Sequence, residues 1–226
     1  MEHLDYVERL TITKITQASQ TSTSAVLRFC KTLGFQGFKD FRYAAINFLR
    51  TEIRDTENNQ FSHNLQSYQQ GLNALQSIPE DHIQDLLSAL ANANHIFAIG
   101  LYQSSLPAKL FHYGLLNLDK HSFFAGDILD INHLTHLIDE EDVLLYFSIS
   151  GDKTNFERTL GEISENMPQN AYLFTNNRSA PIAPYFKTIF LLPDKTFSNS
   201  TVIDSQAYPV ILTEIILNML HHYPKP

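Results

Sequence analysis

Cysteine is almost missing from this chain: Cys30 stands alone among 226 residues, and tryptophan is absent altogether. A lone thiol excludes an internal disulfide framework and a cysteine-rich zinc site, and it fits a reducing compartment. Its plain role is that of a small buried apolar side chain. Long hydrophobic runs are lacking too. The most apolar stretches, VLLYF at 143–147 and PVILTEIILNML at 209–220, fall short of a bilayer span, and the second carries Glu214. The opening MEHLDYVERL is charged throughout and has no apolar secretory core. These absences imply a soluble cytoplasmic protein that does not span a membrane. Glycine is sparse, at eight residues, and neither G-x-x-x-x-G-K-[ST] nor G-x-G-x-x-G occurs. Both gaps argue against a P-loop NTPase and a dinucleotide-binding fold.

Charge, by contrast, is present and unevenly spread. The chain has a net charge of -8, yet residues 9–54 hold Arg9, Lys14, Arg28, Lys31, Lys39, Arg42, Arg50 and Arg54 against Asp40 and Glu52. That segment is therefore at +6 and the remainder at -14. Such asymmetry points to an anionic partner for the basic part, either nucleic acid or an anionic membrane surface. A hydrophobic content of 43% is ample for a packed core in one large or two smaller domains.

The basic segment reads as helical. From Ser24, apolar residues at Val26 or Leu27, Cys30 and Leu33 repeat at three and four, which sets one apolar face opposite Arg28 and Lys31. Thr21, Ser22 and Thr23 are N-cap types, and Gly34 stands where a helix would stop. Phe35, Phe38, Phe41 and Phe48 suggest a following helix packed by rings. Residues 55–64, DTENNQFSHN, read as a polar turn, followed by a helix from about Leu65 to Ile78 that Pro79 breaks. An amphipathic helix is expected from Asp81. Beyond it, short apolar runs alternate with helical ones: IFAIG (96–100), HSFFA (121–125), VLLYFS (143–148), AYLFT (171–175) and TIFLL (188–192). That rhythm predicts a parallel α/β sheet.

Gly100 and Gly151 fall where predicted strands pass into helices. A turn of this kind presents backbone amides and the positive end of a helix dipole, which together favour phosphate or carboxylate. Ser104, Ser105, Ser148, Ser150 and Thr154 add hydroxyls, although each could equally serve only as a cap. Asp130, His133 and His136 share the spacing of one helical face, but without a further ligand they read as surface histidines rather than a metal site. His112, Glu157 and Glu214 are the nearest candidates for acid or base work, and no spacing singles one out.

The run Val26-Leu27-Arg28-Phe29-Cys30-Lys31-Thr32-Leu33-Gly34-Phe35-Gln36-Gly37-Phe38 resembles the helix-turn-helix of RpiR/MurR-type bacterial transcription regulators. Residues 80–220 resemble the sugar isomerase (SIS) domain, on the S-x-S-G loop at Ser148 to Gly151 and on TNNRSAPIA at 175–183. The resemblance implies a DNA-binding domain over 1–54, a linker helix over 55–79 and a sugar-phosphate-binding domain over 80–226. It implies an all-helical head followed by an α/β sandwich with a five-stranded parallel sheet. By the family pattern Ser22, Thr23 and Ser24 face base edges of double-stranded DNA, while Arg28, Lys31 and Lys39 meet phosphates. Ser104, Ser105, Ser148, Ser150, Gly151, Lys153 and Thr154 would hold a phosphorylated sugar effector, with no cofactor and no metal.

Two positions depart from that pattern. Tyr102 stands where the first ligand loop carries a second glycine, and Lys153 replaces a threonine in the second loop. The segment LDYVERLTI is expected to stand without the further helix that precedes it in the family. A homodimer or homotetramer is expected, because paired half-sites need paired heads. The alternatives are a sugar-phosphate isomerase-like enzyme and a regulator whose pocket has degenerated.

Overall fold

The computed structural model describes residues 11–54, 60–193 and 205–224, the side chains of 47–54, 60 and 63 excepted. It falls into two compact units, one ending at Ser67 and the other beginning at Tyr68.

The first unit holds α1 (Ile12–Ala18), α2 (Thr23–Thr32), α3 (Phe38–Arg54) and the start of α4 (Gln60–Ala74). Ser22 caps α2 by accepting the Ala25 amide at 3.2 Å, which satisfies one of the donors that a helix start leaves open. The other end closes with the Phe35 amide on the Cys30 carbonyl and the Gly34 amide on the Lys31 carbonyl, each at 3.0 Å. This paired closure requires a left-handed residue, and Gly34 supplies it at φ +86°. Val26 and Cys30 are buried as expected, but Leu33 is 51% and Leu27 37% exposed. The closing turn folds Phe35 back onto the Val26, Cys30 and Phe38 cluster, in the place expected of Leu33. Phe41 joins that cluster edge-on to Phe35, with ring centroids 5.4 Å apart, while the Phe48 side chain lies outside the described residues.

Residues 60–64 correct the sequence reading, because they form the first turn of α4 rather than a loop. QFSHN contains neither glycine nor proline, so no backbone constraint stops the helix short of Gln60. Residues 55–59 lie outside the described part. The far end of α4 gives way to a 3-10 turn at Leu75–Ser77, and Pro79 then caps the next helix.

The second unit is a three-layer sandwich. In chain order its elements are α5 (Glu80–Asn92), β1 (Ile96–Gly100), α6 (Ser105–Asn117), β2 (Ser122–Ala125), α7 (Ile128–Thr135), β3 (Val143–Phe147), α8 (Lys153–Thr159), β4 (Asn170–Thr175), β5 (Thr188–Leu191) and α9 (Ala207–His221). The five strands run parallel in the order β2-β1-β3-β4-β5. Side chains alternate across the sheet, so Ile96 and Ala98 face α5, α6 and α9, while Phe97 and Ile99 face α7 and α8. Burial on both faces explains why the strands read as continuous apolar runs. Each fully buried ring, such as Phe111 or Phe156, contributes about 1.5–3 kcal/mol relative to exposure. Gly114 lets α6 approach α9 closely, since an added β-carbon would lie 2.2 Å from Leu217 Cδ1.

Candidate functional site

A parallel sheet in this order reverses direction of winding between β1 and β3, and ligands of open α/β sheets bind outside the carboxyl ends of the strands at such a switch. Gly100 pairs with Phe147 at the ends of those strands, so the loops that follow them leave the sheet side by side. The sequence reading singled out both loops as candidate phosphate-binding turns, and the topology makes them neighbours.

The first loop folds tightly over its own glycine. A β-carbon at Gly100 would lie 2.3 Å from the Ser104 carbonyl oxygen, a contact only glycine permits. Tyr102 adopts φ +53°, a left-handed conformation unusual for a bulky residue, so the loop keeps a glycine-like backbone at a position occupied by tyrosine. Its ring is 70% exposed. Ser104 and Ser105 are half-buried at the start of α6, with the Ser105 hydroxyl donating to the Tyr102 carbonyl at 2.5 Å.

The second loop is held from behind. The Ser148 amide donates to the Phe174 carbonyl at 3.0 Å and the Gly151 amide to the Ser148 carbonyl at 3.2 Å. Gly151 sits at φ +59°, and its missing β-carbon would fall 2.4 Å from the β-carbon of Ala180. Ser148 and Ser150 are half-buried, whereas Lys153 and Thr154 are exposed in the first turn of α8. Lys153 Nζ lies 3.5 Å from Glu157 one turn on, which partly neutralises the cation. Asp152 caps α8 by accepting the Asn155 amide at 2.8 Å. A carboxylate therefore stands at a helix start that had been expected to offer donors to an anion.

Three residues that open the TNNRSAPIA segment belong here, although the sequence reading gave them no place in the site. The Asn177 side-chain amide donates to the Ser150 carbonyl at 2.8 Å, and the Thr175 hydroxyl donates to the Ile149 carbonyl at 3.0 Å. Asn176 is buried and donates to the Pro193 carbonyl at 2.6 Å. The first two bonds tie the second loop to the end of β4, and the third ties that end to the chain just after β5. The signal was the pair of asparagines just after a strand end, a residue type that readily bonds nearby backbone.

The other nominated groups are spread apart. His112 faces β2, with Nδ1 3.1 Å from the Ser122 hydroxyl, and burial pushes its pKa below the usual imidazole range. Glu214 is exposed on α9. His136 lies 3.9 Å from Glu162, and among the described residues no three His, Cys, Asp or Glu side chains converge as a metal site. A cavity of about 360 Å³ opens at the opposite, amino end of the strands, lined by Asp85, Glu141, Asn170 and Lys187 among others. Much of its polar lining is mutually engaged, with Lys187 Nζ 2.7 Å from Asp85 and 3.1 Å from Asn170. Among the described residues no helix is long and apolar enough to cross a membrane.

In the first unit, Ser22, Thr23 and Ser24 are all exposed at the start of α2. Arg28 and Lys31 are exposed along the same helix, and Lys39 is exposed in the first turn of α3. Four residues separate α1 from α2, and the bend is taken at Gln20, φ +49°. The arrangement offers hydroxyls at one helix tip and cations along its flank, a surface suited to a polyanion.

Residues 1–52 match the helix-turn-helix domain of the rpiR family. A relative described as an HTH-type transcriptional regulator from Haemophilus influenzae is 23% identical over 199 residues, 80% of this chain and 67% of its own length. The chain spans 54–67% of the length of the curated relatives it matches. Among solved structures, the Vibrio vulnificus NanR protein complexed with ManNAc-6P superposes with a TM-score of 0.63 at 20% identity, covering 98% of this chain and 82% of that one. The sugar isomerase domain of an RpiR transcription factor from Sphaerobacter thermophilus gives 0.58 at 14%, covering 71% and 86%. Phosphosugar isomerases share the fold as well. At these identities the likeness establishes the fold.

Proposed function

From a chain that joins an rpiR-family helix-turn-helix domain to a SIS-like α/β domain, we propose a cytoplasmic transcriptional regulator of sugar metabolism that reads double-stranded DNA and senses a phosphorylated sugar. Residues 1–54 read DNA, 55–79 form the link, and 80–226 hold the effector and bring two copies together. Ser22, Thr23 and Ser24 approach base edges, and Arg28, Lys31 and Lys39 neutralise phosphates. The effector sits between the β1 and β3 loops, contacted by Ser104, Ser105, Ser148, Ser150 and Gly151, with Lys153 and Thr154 at the rim.

The observation that carries this reading is the adjacency of those two loops at the switch point, beneath the half-buried serines. NanR, with the same fold, was solved with the phosphorylated sugar ManNAc-6P, which supports the ligand class. A regulator also requires that the effector bind its DNA-competent and incompetent arrangements unequally. A thermal-shift panel of sugar phosphates tests the effector half. At about 100 times Kd a true effector stabilises by about 2.7 kcal/mol, and Ser150→Ala should abolish that shift while leaving the unliganded melting temperature within a few degrees.

A second reading, a regulator whose cleft has lost its ligand, has one observation in its favour: the Asp152 carboxylate at the start of α8. No stabilisation by any phosphorylated sugar, with DNA binding intact, would select it. The isomerase reading needs an acid–base pair at the loops. His112 and Glu157 are engaged with Ser122 and Lys153 instead, and measured turnover of an aldose or ketose phosphate would be required to restore it.

A further inference from the structure

Tyr102 combines backbone strain with exposure. Among the described residues it shares a positive φ with only two other non-glycine residues, Gln20 and Asp119, and it alone is aromatic. Aspartate enters this region readily, whereas a bulky side chain meets the following carbonyl. The backbone is held there from both sides: the Ser104 amide donates to the Leu101 carbonyl at 3.0 Å, and the Ser105 hydroxyl to the Tyr102 carbonyl at 2.5 Å. Glycine would take the same φ of +53° without penalty. Burial does not offset the cost, for the ring is 70% exposed. A strained residue that the core does not require points to a use in binding.

Its place in the fold says what it can meet. Tyr102 follows just after Gly100, and Phe147, the partner of Gly100, leads into the loop of Ser148 and Ser150. The ring is thus anchored on one wall of the cleft at the switch point. The face of an aromatic ring carries partial negative charge and its edge partial positive charge. The face therefore repels a phosphate, which is left to serine hydroxyls and backbone amides, and attracts C–H groups with their slightly positive hydrogens. A cyclic sugar gathers several C–H bonds on one side into a flat apolar surface. An open chain holds no such surface and must be immobilised before it can offer one.

We propose that Tyr102 is a specificity-determining residue: its ring lies against the sugar ring of the effector, so that the cleft selects cyclic sugar phosphates over open-chain ones. The inference rests on the reading of this cleft as a sugar-phosphate site. It gives the tyrosine a use at a position where it would otherwise only obstruct.

Isothermal titration calorimetry of the full chain tests it, with ring-locked anhydrohexitol phosphates and the matching open-chain hexitol phosphates of the gluco and manno series. Within each pair the phosphate is the same, so the serines do not distinguish the two members. The unmodified chain should bind the ring-locked member of at least one pair about tenfold more tightly. Tyr102→Phe should keep that preference, because the hydroxyl is not used. Tyr102→Leu should lose it, since bulk alone supplies no aromatic face, and so should Tyr102→Gly. Glycine suits the backbone, so the melting temperature of Tyr102→Gly should stay within a few degrees of the unmodified chain. Equal binding within every pair, or a preference that survives in Tyr102→Gly, overturns the ring contact and leaves the sugar-phosphate reading standing. Binding by Tyr102→Gly alone overturns it as well, because the tyrosine would then block the cleft. If neither chain binds any of these phosphates the proposal falls, and the wider thermal-shift panel decides whether the sugar-phosphate reading falls with it.

Discussion

Gly34 and Gly151 both hold left-handed backbone, at φ +86° and +59°, but their surroundings differ. Around Gly34 an added β-carbon would meet nothing within 4 Å, whereas at Gly151 it would strike Ala180 at 2.4 Å. Gly34→Ala should therefore cost only the conformational penalty, about 1–2 kcal/mol. Gly151→Ala adds a clash that displaces Ala180 or the loop, for a further 1–3 kcal/mol or so. Denaturant titration of the two variants measures the difference, and equal losses would mean that Ala180 yields freely. The pattern around Gly34 was legible beforehand, since a glycine after an apolar helix run marks a stop. At Gly151 the sequence suggested a turn but could not show that Ala180, 29 positions on, fills the space behind it. Tyr102 is the converse case: its identity argued against a left-handed turn, yet it adopts one in the loop that folds the Ser104 carbonyl over Gly100.

Between elements, one polar clasp joins α5 to the sheet. Asp85 accepts from the Tyr172 hydroxyl at 2.8 Å and from Lys187 at 2.7 Å. Burial pushes the Asp85 carboxyl up, but the bonds from Lys187 and Tyr172 and the nearby positive charges outweigh it and leave its pKa lowered. A depressed folded-state pKa stabilises the fold above the unfolded-state value of about 3.9, and that contribution is lost as pH falls through the lower, folded value. Asp85→Asn should accordingly flatten the acid limb of a stability profile below about pH 5, while lowering stability at neutral pH. Identical acid limbs would remove Asp85 from this role. Tyr172 belongs to the same clasp, with burial and the Asp85 carboxylate raising its pKa. The strands themselves were readable to within a residue at each end, because burial on both faces leaves unbroken apolar runs bounded by polar residues. The start of α4 was not, since glutamine, serine and asparagine are compatible with turn and helix alike.

For the whole molecule, the separation of charge is the property with the longest reach. Residues 9–54 at +6, against -14 for the rest of the chain, form the segment to which a polyanion is drawn. DNA affinity should fall steeply with salt, and Arg28→Ala should reduce the log–log slope by about one unit if that guanidinium meets a phosphate. An unchanged slope would exclude Arg28 from the interface. The sequence by itself determined the charge asymmetry, the helical head, the five strands and the two glycine turns, because each is written in residues close together along the chain. Only the tertiary structure decided that the two turns are neighbours, that Asn177 and Thr175 hold one of them, and that Leu33 faces outward while Phe35 takes its place. The first two outcomes depend on strand order and on contacts between residues far apart in the chain, and the third on the left-handed turn at Gly34, through which helical periodicity does not extend.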